Sequence, residues 1–323
     1  MSKRLSVVLV AAMMLVALLS VPALADDVSV SIVFSTGGLG DQSFNDAAYR
    51  GLEEAVADFG IDFSFVEPTD VAEMEEHLRA YAQAGYDLVI AVGFQQESAL
   101  EVVSEDYVNT RFAIIDAVVD NPNVANLLFA EHEGSFLVGI LAAMMSETGT
   151  VGFVGGIESP VITRFQVGFE QGVAWAEPDV NVIVNYAGSF GDPGRGKELA
   201  ISQNERGADV IYHASGGTGN GVIEAAAEGG FYAIGVDSDQ DHLAEGTVLT
   251  SMLKKVDVAV YNLISDLVDG HFEPGIHTFG IANDGVGLSE MRFTRDIIPE
   301  EVLAAVEEAR TKIAAGELEV ADR

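Results

Sequence analysis

The residues of this chain that are able to do chemistry stand at the ends of short apolar runs. Gly40-Asp41-Gln42-Ser43-Phe44-Asn45 follows the first run, and Ile114-Ile115-Asp116 closes the fourth. Further along come Tyr186-Ala187-Gly188-Ser189-Phe190, His213-Ala214-Ser215-Gly216-Gly217, Gly235-Val236-Asp237 and Thr250-Ser251-Met252-Leu253-Lys254. Together they supply two aromatic faces, several carboxylates, an amide, small backbone turns and one cation. Such a set stacks on a flat ring and pairs with its polar edge and with hydroxyl groups. It holds no assembled nucleophile and base.

Enzyme and metal signatures fail one by one. No G-x-S-x-G elbow, H-E-x-x-H pair or G-x-x-x-x-G-K-[ST] loop occurs. The six His are scattered; His77 falls in an acidic helix, and His213, at a strand end, is weighed between a cleft role and a structural one. Asp237-Ser238-Asp239-Gln240-Asp241 begins like a calcium loop, but His242 and Val248 stand where that loop needs Gly and Glu. Gly217 and Gly219 suggest a dinucleotide fingerprint whose third glycine is replaced by Val222. The glycine clusters read better as tight turns that open the backbone to a ligand.

The elements that must position these groups alternate. Strands are predicted over residues 28–34, 61–66, 88–92 and 112–115, with helices over 44–59, 70–84 and 96–105. The rhythm restarts with strands at 150–154, 180–185, 209–212 and 232–236 and helices at 161–175, 195–206 and after Thr218. A helix at 255–269, a strand at 276–281 and a helix at 299–314 remain, too little for a third domain. This is the βαβ pattern of parallel sheets covered on both faces, in two blocks at 27–130 and 131–252. Ligand groups of such sheets gather at the C-terminal strand ends, so two facing lobes make a cleft and the leftover segments a hinge.

Composition narrows the function further. The 323 residues include 16 Lys and Arg against 51 Asp and Glu, a formal net charge of −35. That charge repels phosphate backbones and anionic membranes, which argues against nucleic-acid polymers as partners. The hydrophobic share of 49% excludes a disordered acidic chain. With no cysteine, disulfides, thiol nucleophiles and a lipidated N-terminal Cys are excluded. Residues 1–25 have the secretory pattern: Lys3 and Arg4, an apolar stretch from Leu5 to Val21, and Ala23-Leu24-Ala25 before Asp26. The expectation is a signal peptide cleaved after Ala25, with an uncleaved anchor as the alternative.

The segments GLGDQSFNDAAYRGL (38–52), EGSFLVGILAA (133–143), VGFVGG (151–156), GADVIYHASGGTGNGV (207–222), IGVDSDQ (234–240) and LTSMLKKVDVAVY (249–261) resemble the basic membrane protein family. These are ABC-transporter solute-binding proteins of the purine nucleoside receptor type. The resemblance spans the chain after residue 25. It implies an α/β type I periplasmic-binding-protein fold, two doubly wound parallel-sheet lobes joined by a three-crossing hinge. The lobes would comprise residues 26–130 plus 253–281 and 131–252 plus 282–323.

Carried onto this sequence, the resemblance puts Phe44 and Phe190 on the two faces of a purine and Asn45 and Asp116 at its edge. Asp237 would accept from the ribose hydroxyls, and Lys254 would bond the sugar and offset the buried carboxylates. Gly216 and Gly217 would offer backbone groups, and Asp41 matches the same motif. Structural readings stand beside these: a core aromatic for Phe44 and Phe190, a helix cap for Asn45, a capped turn for Asp237.

The resemblance further implies a monomer that needs no cofactor or metal, partnered by permease and ATPase subunits and by adenosine, guanosine or inosine. Without a lipidated Cys it would be free in the periplasm, with no membrane anchor. Gln42 stands where Lys or Arg is frequent in the family, which loosens the ligand assignment. A pyrimidine nucleoside, a sugar or a signal molecule on the same fold, and a nucleoside hydrolase, are the alternatives. Most acids fall on helix faces, as at Glu73, Glu75, Glu76, Glu300, Glu301, Glu307 and Glu308, the solvated surface of a protein suited to a saline habitat.

Overall fold

The computed structural model describes residues 28–323, so the proposed signal peptide lies outside the described residues. The first sheet holds β1 (Ser29–Val33), β2 (Asp62–Val66), β3 (Leu88–Ala91), β4 (Arg111–Ile115), β5 (Val124–Phe129) and β11 (Gly275–Phe279), in the order β11-β5-β4-β3-β1-β2. The second holds β6 (Thr150–Gly155), β7 (Asn181–Tyr186), β8 (Val210–Ala214), β9 (Tyr232–Asp237), β10 (Val248–Lys254) and β12 (Val286–Leu288), in the order β12-β10-β9-β8-β6-β7. Every pairing is parallel except that of β10 with β12. The central strands are buried throughout, as the residues of β3 show, because helices cover both faces.

The helices are α1 (Phe44–Phe59), α2 (Met74–Ala84), α3 (Glu97–Asp106), α4 (Glu131–Met145), α5 (Pro160–Ala176), α6 (Pro193–Glu205), α7 (Thr218–Gly229), α8 (Val256–Val268) and α9 (Glu300–Ala314). In α1 a stripe of Ala47, Ala48, Leu52 and Ala55 faces the sheet, and Gly60, in the left-handed conformation, ends it. The predicted helix at 70–84 splits: Asp70 caps a short 3₁₀ turn at Val71–Glu73 before α2 begins.

Between α4 and α5 the backbones nearly touch. A Cβ on Gly139, Gly168 or Gly172 would stand 2.3, 2.2 or 2.0 Å from the carbonyl oxygen of Phe169, His132 or Phe136.

Four elements were not foreseen: β5, α4, β10 and β12. Residues Gly134–Ala143 of α4 are all buried, so the helix is apolar all round and shows no amphipathic period. The chain passes between the sheets three times: at Ala130 between β5 and α4, at Lys254–Lys255 between β10 and α8, and at 280–285 between β11 and β12. Past the second passage α8 packs on α1, where a Cβ on Gly51 would meet the Asp257 carbonyl at 2.3 Å. No helix among the described residues is long and apolar enough to cross a membrane.

Candidate ligand site between the lobes

The C-terminal strand ends of the two sheets face each other across a cavity with about 550 Å³ of atom-free space. Asp41, Phe44, Asn45, Asp116, Phe190, Gly216, Asp237 and Lys254 all line it. Gly217 does not; the Cβ it lacks would stand 3.3 Å from the Phe190 carbonyl and 3.6 Å from the Asp41 Cα. His213 is buried inside β8, away from the cavity, with its ring nitrogens toward Gln240 and Ser215. Burial lowers its pKa to about 4, so the ring is neutral.

The loop before α1 is organised by Asp41. Its Oδ1 accepts from the backbone N–H of Ser43 (2.8 Å) and Asp46 (3.2 Å), and its Oδ2 from the backbone and side-chain amides of Asn45 (2.9 and 3.1 Å). Asp41 therefore does the capping work that the sequence offered to Asn45, and both its oxygens are engaged. Asn45 Oδ1 accepts from the N–H and hydroxyl of Ser35, both at 3.0 Å. One proton of the Asn45 amide is left over for a ligand.

The two predicted rings stand on opposite lobes, Phe44 at the start of α1 and Phe190 in the loop after β7. Glycine makes room for each. A Cβ on Gly93 would come 3.5 Å from the Phe44 ring, and one on Gly156 would lie 2.3 Å from a ring carbon of Phe190. Phe94 meets Phe190 edge-on at 6.4 Å.

A chain of four charges starts at one wall: Asp116 and Lys254 line the cavity, Glu131 is buried beside Lys254, and Arg164 is partly exposed. Lys254 Nζ donates to both oxygens of Asp116, at 2.7 and 2.6 Å, and to Glu131 Oε1 at 3.0 Å. Arg164 Nε donates to Glu131 Oε2 at 2.8 Å. Lys254 is also caged by aromatic rings, 5.1 Å from the centroids of Phe44 and Phe129 and 5.5 Å from that of Phe165. Burial lifts the Asp116 carboxyl to about 6 against the pull of Lys254. Burial acts on Glu131 in the same sense, but Lys254 and Arg164 outweigh it and hold Glu131 below the usual range.

Across the cavity Asp237 accepts from the Ser43 hydroxyl, a contact between lobes. Burial raises its carboxyl to about 7, opposed by Lys254 and Ser43. Asp116 and Asp237 both adopt left-handed backbone, with φ of 71° and 62°. Each turns sharply where its strand ends, which aims the carboxylate into the cleft.

The sequence reading missed Glu131, Phe94 and Phe165. Phe165 repeats at helical spacing and looks like core. Glu131 lies 123 residues from Lys254, and no local pattern marks it. Asp239 and Asp241, which looked like calcium ligands, accept from Arg292 (3.2, 3.0 and 2.6 Å). Among the described residues no cluster of His, Cys, Asp and Glu could hold a metal ion.

Residues 28–323 match the family of PnrA-like ABC-transporter substrate-binding proteins. The chain belongs to that family. It is 36% identical over 320 residues to the CD4+ T-cell-stimulating antigen of Listeria monocytogenes, covering 92% of this chain and 89% of that one. It is 32% identical to the ABC transporter nucleoside-binding protein BmpA of Lactococcus lactis, covering 91% of this chain and 89% of that one. A crystal structure of an ABC-transporter solute-binding protein from Aeropyrum pernix shares 35% identity and superposes with a TM-score of 0.84, covering 92% and 94% of the two chains. The two-lobed fold expected from the motifs is therefore the family's own, and the PnrA-like chain is a substrate-binding protein of an ABC transporter.

Proposed function

We propose that this PnrA-like protein is exported to the periplasm, closes on a purine nucleoside between its lobes and delivers it to a permease driven by ATPase subunits. The observation that carries this reading is the make-up of the cavity: a phenylalanine from each lobe, with carboxylates and a lysine at its edges. Phe44 and Phe190 would stack on the two faces of the base. Asp116 and the spare amide proton of Asn45 would meet its edge. Asp237 would accept from the vicinal ribose hydroxyls, an arrangement in which two donors match two carboxylate oxygens. The nucleoside-binding relative from Lactococcus lactis supports the same class of ligand.

Calorimetric titration with adenosine, guanosine and inosine tests the reading. Heat with at least one of them, and recovery of that nucleoside intact, is the expected result. No binding to any of the three, together with binding of a free sugar, would overturn it.

A further inference from the structure

Three consecutive backbone carbonyls of the first lobe are each met by a side chain of the second. Asn220 Nδ2 donates to the Asp41 carbonyl at 3.4 Å, Gln240 Nε2 to that of Gln42 at 3.1 Å, and the Ser238 hydroxyl to that of Ser43 at 3.1 Å. Asn220, Ser238 and Gln240 do not line the cavity between Phe44 and Phe190. They lie outside it, where the lobes meet directly.

Both halves of this contact are built in advance. On the first lobe, the four hydrogen bonds to Asp41 fix the loop, and the Asp46 carboxylate adds two more from the N–H groups of Gly40 (2.7 Å) and Gln42 (2.9 Å). Gln42 is held with φ at 57°, a conformation that turns its carbonyl out of the helix start.

On the second lobe, Gln240 is completely buried. Its Oε1 accepts from the Val236 N–H at 2.9 Å and from His213 Nε2 at 3.0 Å, and its own N–H donates to the Ser251 hydroxyl at 3.0 Å. With the neutral His213 donating, both acceptor positions of Oε1 are filled, so the amide nitrogen is the atom presented to the other lobe.

We propose that Asn220, Ser238 and Gln240 are a latch on the carbonyls of Asp41, Gln42 and Ser43, which sets how readily the lobes close and hence the apparent affinity, without touching the ligand. Opening the cleft exchanges each of these bonds for one to water. The net value of a neutral hydrogen bond is small, so losing one lowers the closed-to-open ratio by about 2- to 10-fold. Apparent affinity falls in proportion, because only the closed state retains its ligand fully.

The latch rests on the two-lobed binding-protein reading and uses nucleosides only as probes. The chain contains no cysteine, so a cysteine at Val108 and another at Ile201, both exposed, can carry a donor and an acceptor dye, one on each lobe. Closure is then followed by single-molecule energy transfer in the parent and in Asn220→Ala, Ser238→Ala and Gln240→Met, with adenosine, guanosine and inosine. Asn220→Ala also protects the test against a folding defect, since Asn220 is a partly exposed side chain near the start of α7.

The expected result is a lower closed fraction and an affinity weakened by about 2- to 10-fold in each variant, with the ratios among the three nucleosides unchanged. Unaltered closure and affinity in all three variants would overturn the latch. So would altered ratios, which mean contact with the ligand. Failure of every nucleoside to close the parent overturns the nucleoside reading alone. The closed fraction without added ligand then decides: lower in the variants supports the latch, equal overturns it.

Discussion

Lys254 ends a strand of one sheet and donates to both carboxylate oxygens of Asp116, which terminates a strand of the other. Glu131, just past the first passage between lobes, takes a third proton of the same ammonium group. A buried ion chain thus ties two hinge passages to the wall of the cavity.

Lys254→Met leaves Asp116 without a counterion and Glu131 with Arg164 alone. Removing one partner of a buried pair is far costlier than exchanging the whole pair for apolar residues, and the expected loss is about 3–5 kcal/mol. Urea denaturation at pH 7.5 measures it. The double variant Lys254→Met with Asp116→Leu should recover part of that loss, and an unchanged midpoint would refute the coupling.

Phe44→Ala and Phe190→Ala should each weaken nucleoside binding by about 1–3 kcal/mol, the scale of a base–aromatic stack. Free ribose, having no base, should bind equally to parent and variants. Gly156→Ala reaches the same end indirectly: its methyl would stand 2.3 Å from the Phe190 ring, so the ring must leave its place. Calorimetry that finds the Gly156 variant as tight as the parent would show the ring free to move.

The Asp237 carboxyl, raised to about 7 from the ordinary 3.8, keeps its proton to higher pH in the folded chain than in the unfolded one. Stability therefore falls as pH rises from about 4 to about 7, by on the order of 2–4 kcal/mol, and stays lowered above that. Asp237→Asn should flatten this part of the profile and raise Tm at pH 8 more than at pH 4.5. Asn also tolerates the left-handed backbone at this position. Nucleoside binding should be lost in the variant, and in the parent it should weaken below pH 7 as the carboxylate is protonated. An equal gain in Tm at both pH values would place the titration elsewhere.

Gly172→Ala puts a methyl group 2.0 Å from the Phe136 carbonyl, between α4 and α5. Overpacking of this kind costs about 1–3 kcal/mol or more. Thermal melting should show it, while Gly194→Ala, at an exposed glycine in the first turn of α6 whose added Cβ would meet nothing closer than 3.4 Å, serves as the reference for a solvent-side change. A melting point equal to the parent's would mean that the helices can separate freely.

Most of the scaffold was legible because its signals are local. The stripe of Ala48, Leu52 and Ala55 defined α1 to the residue, and the β-branched runs located nine of the twelve strands within a residue or two. What escaped has its cause in three dimensions. Helix α4 is buried on every side, so nothing in it alternates, and β12 is three residues long with only β10 to pair with. In the site, Phe44, Asp116, Phe190 and Asp237 were visible because strand ends and glycine turns announce them. Glu131 was not, since a buried acid has meaning only beside its lysine. Gln240 was hidden inside a run of aspartates whose spacing drew attention to the wrong side chains.

The charges on the cavity wall have a consequence for what the cleft admits. Lys254 is the one cation among the described residues that line it, and two carboxylates already hold that lysine. An incoming phosphate would meet Asp116 and Asp237 at close range with no positive group free to receive it. Its own water shell would be lost for nothing in return. The cleft should thus sort molecules by net charge before it sorts them by shape, and a phosphorylated version of an otherwise fitting ligand is expected to be turned away.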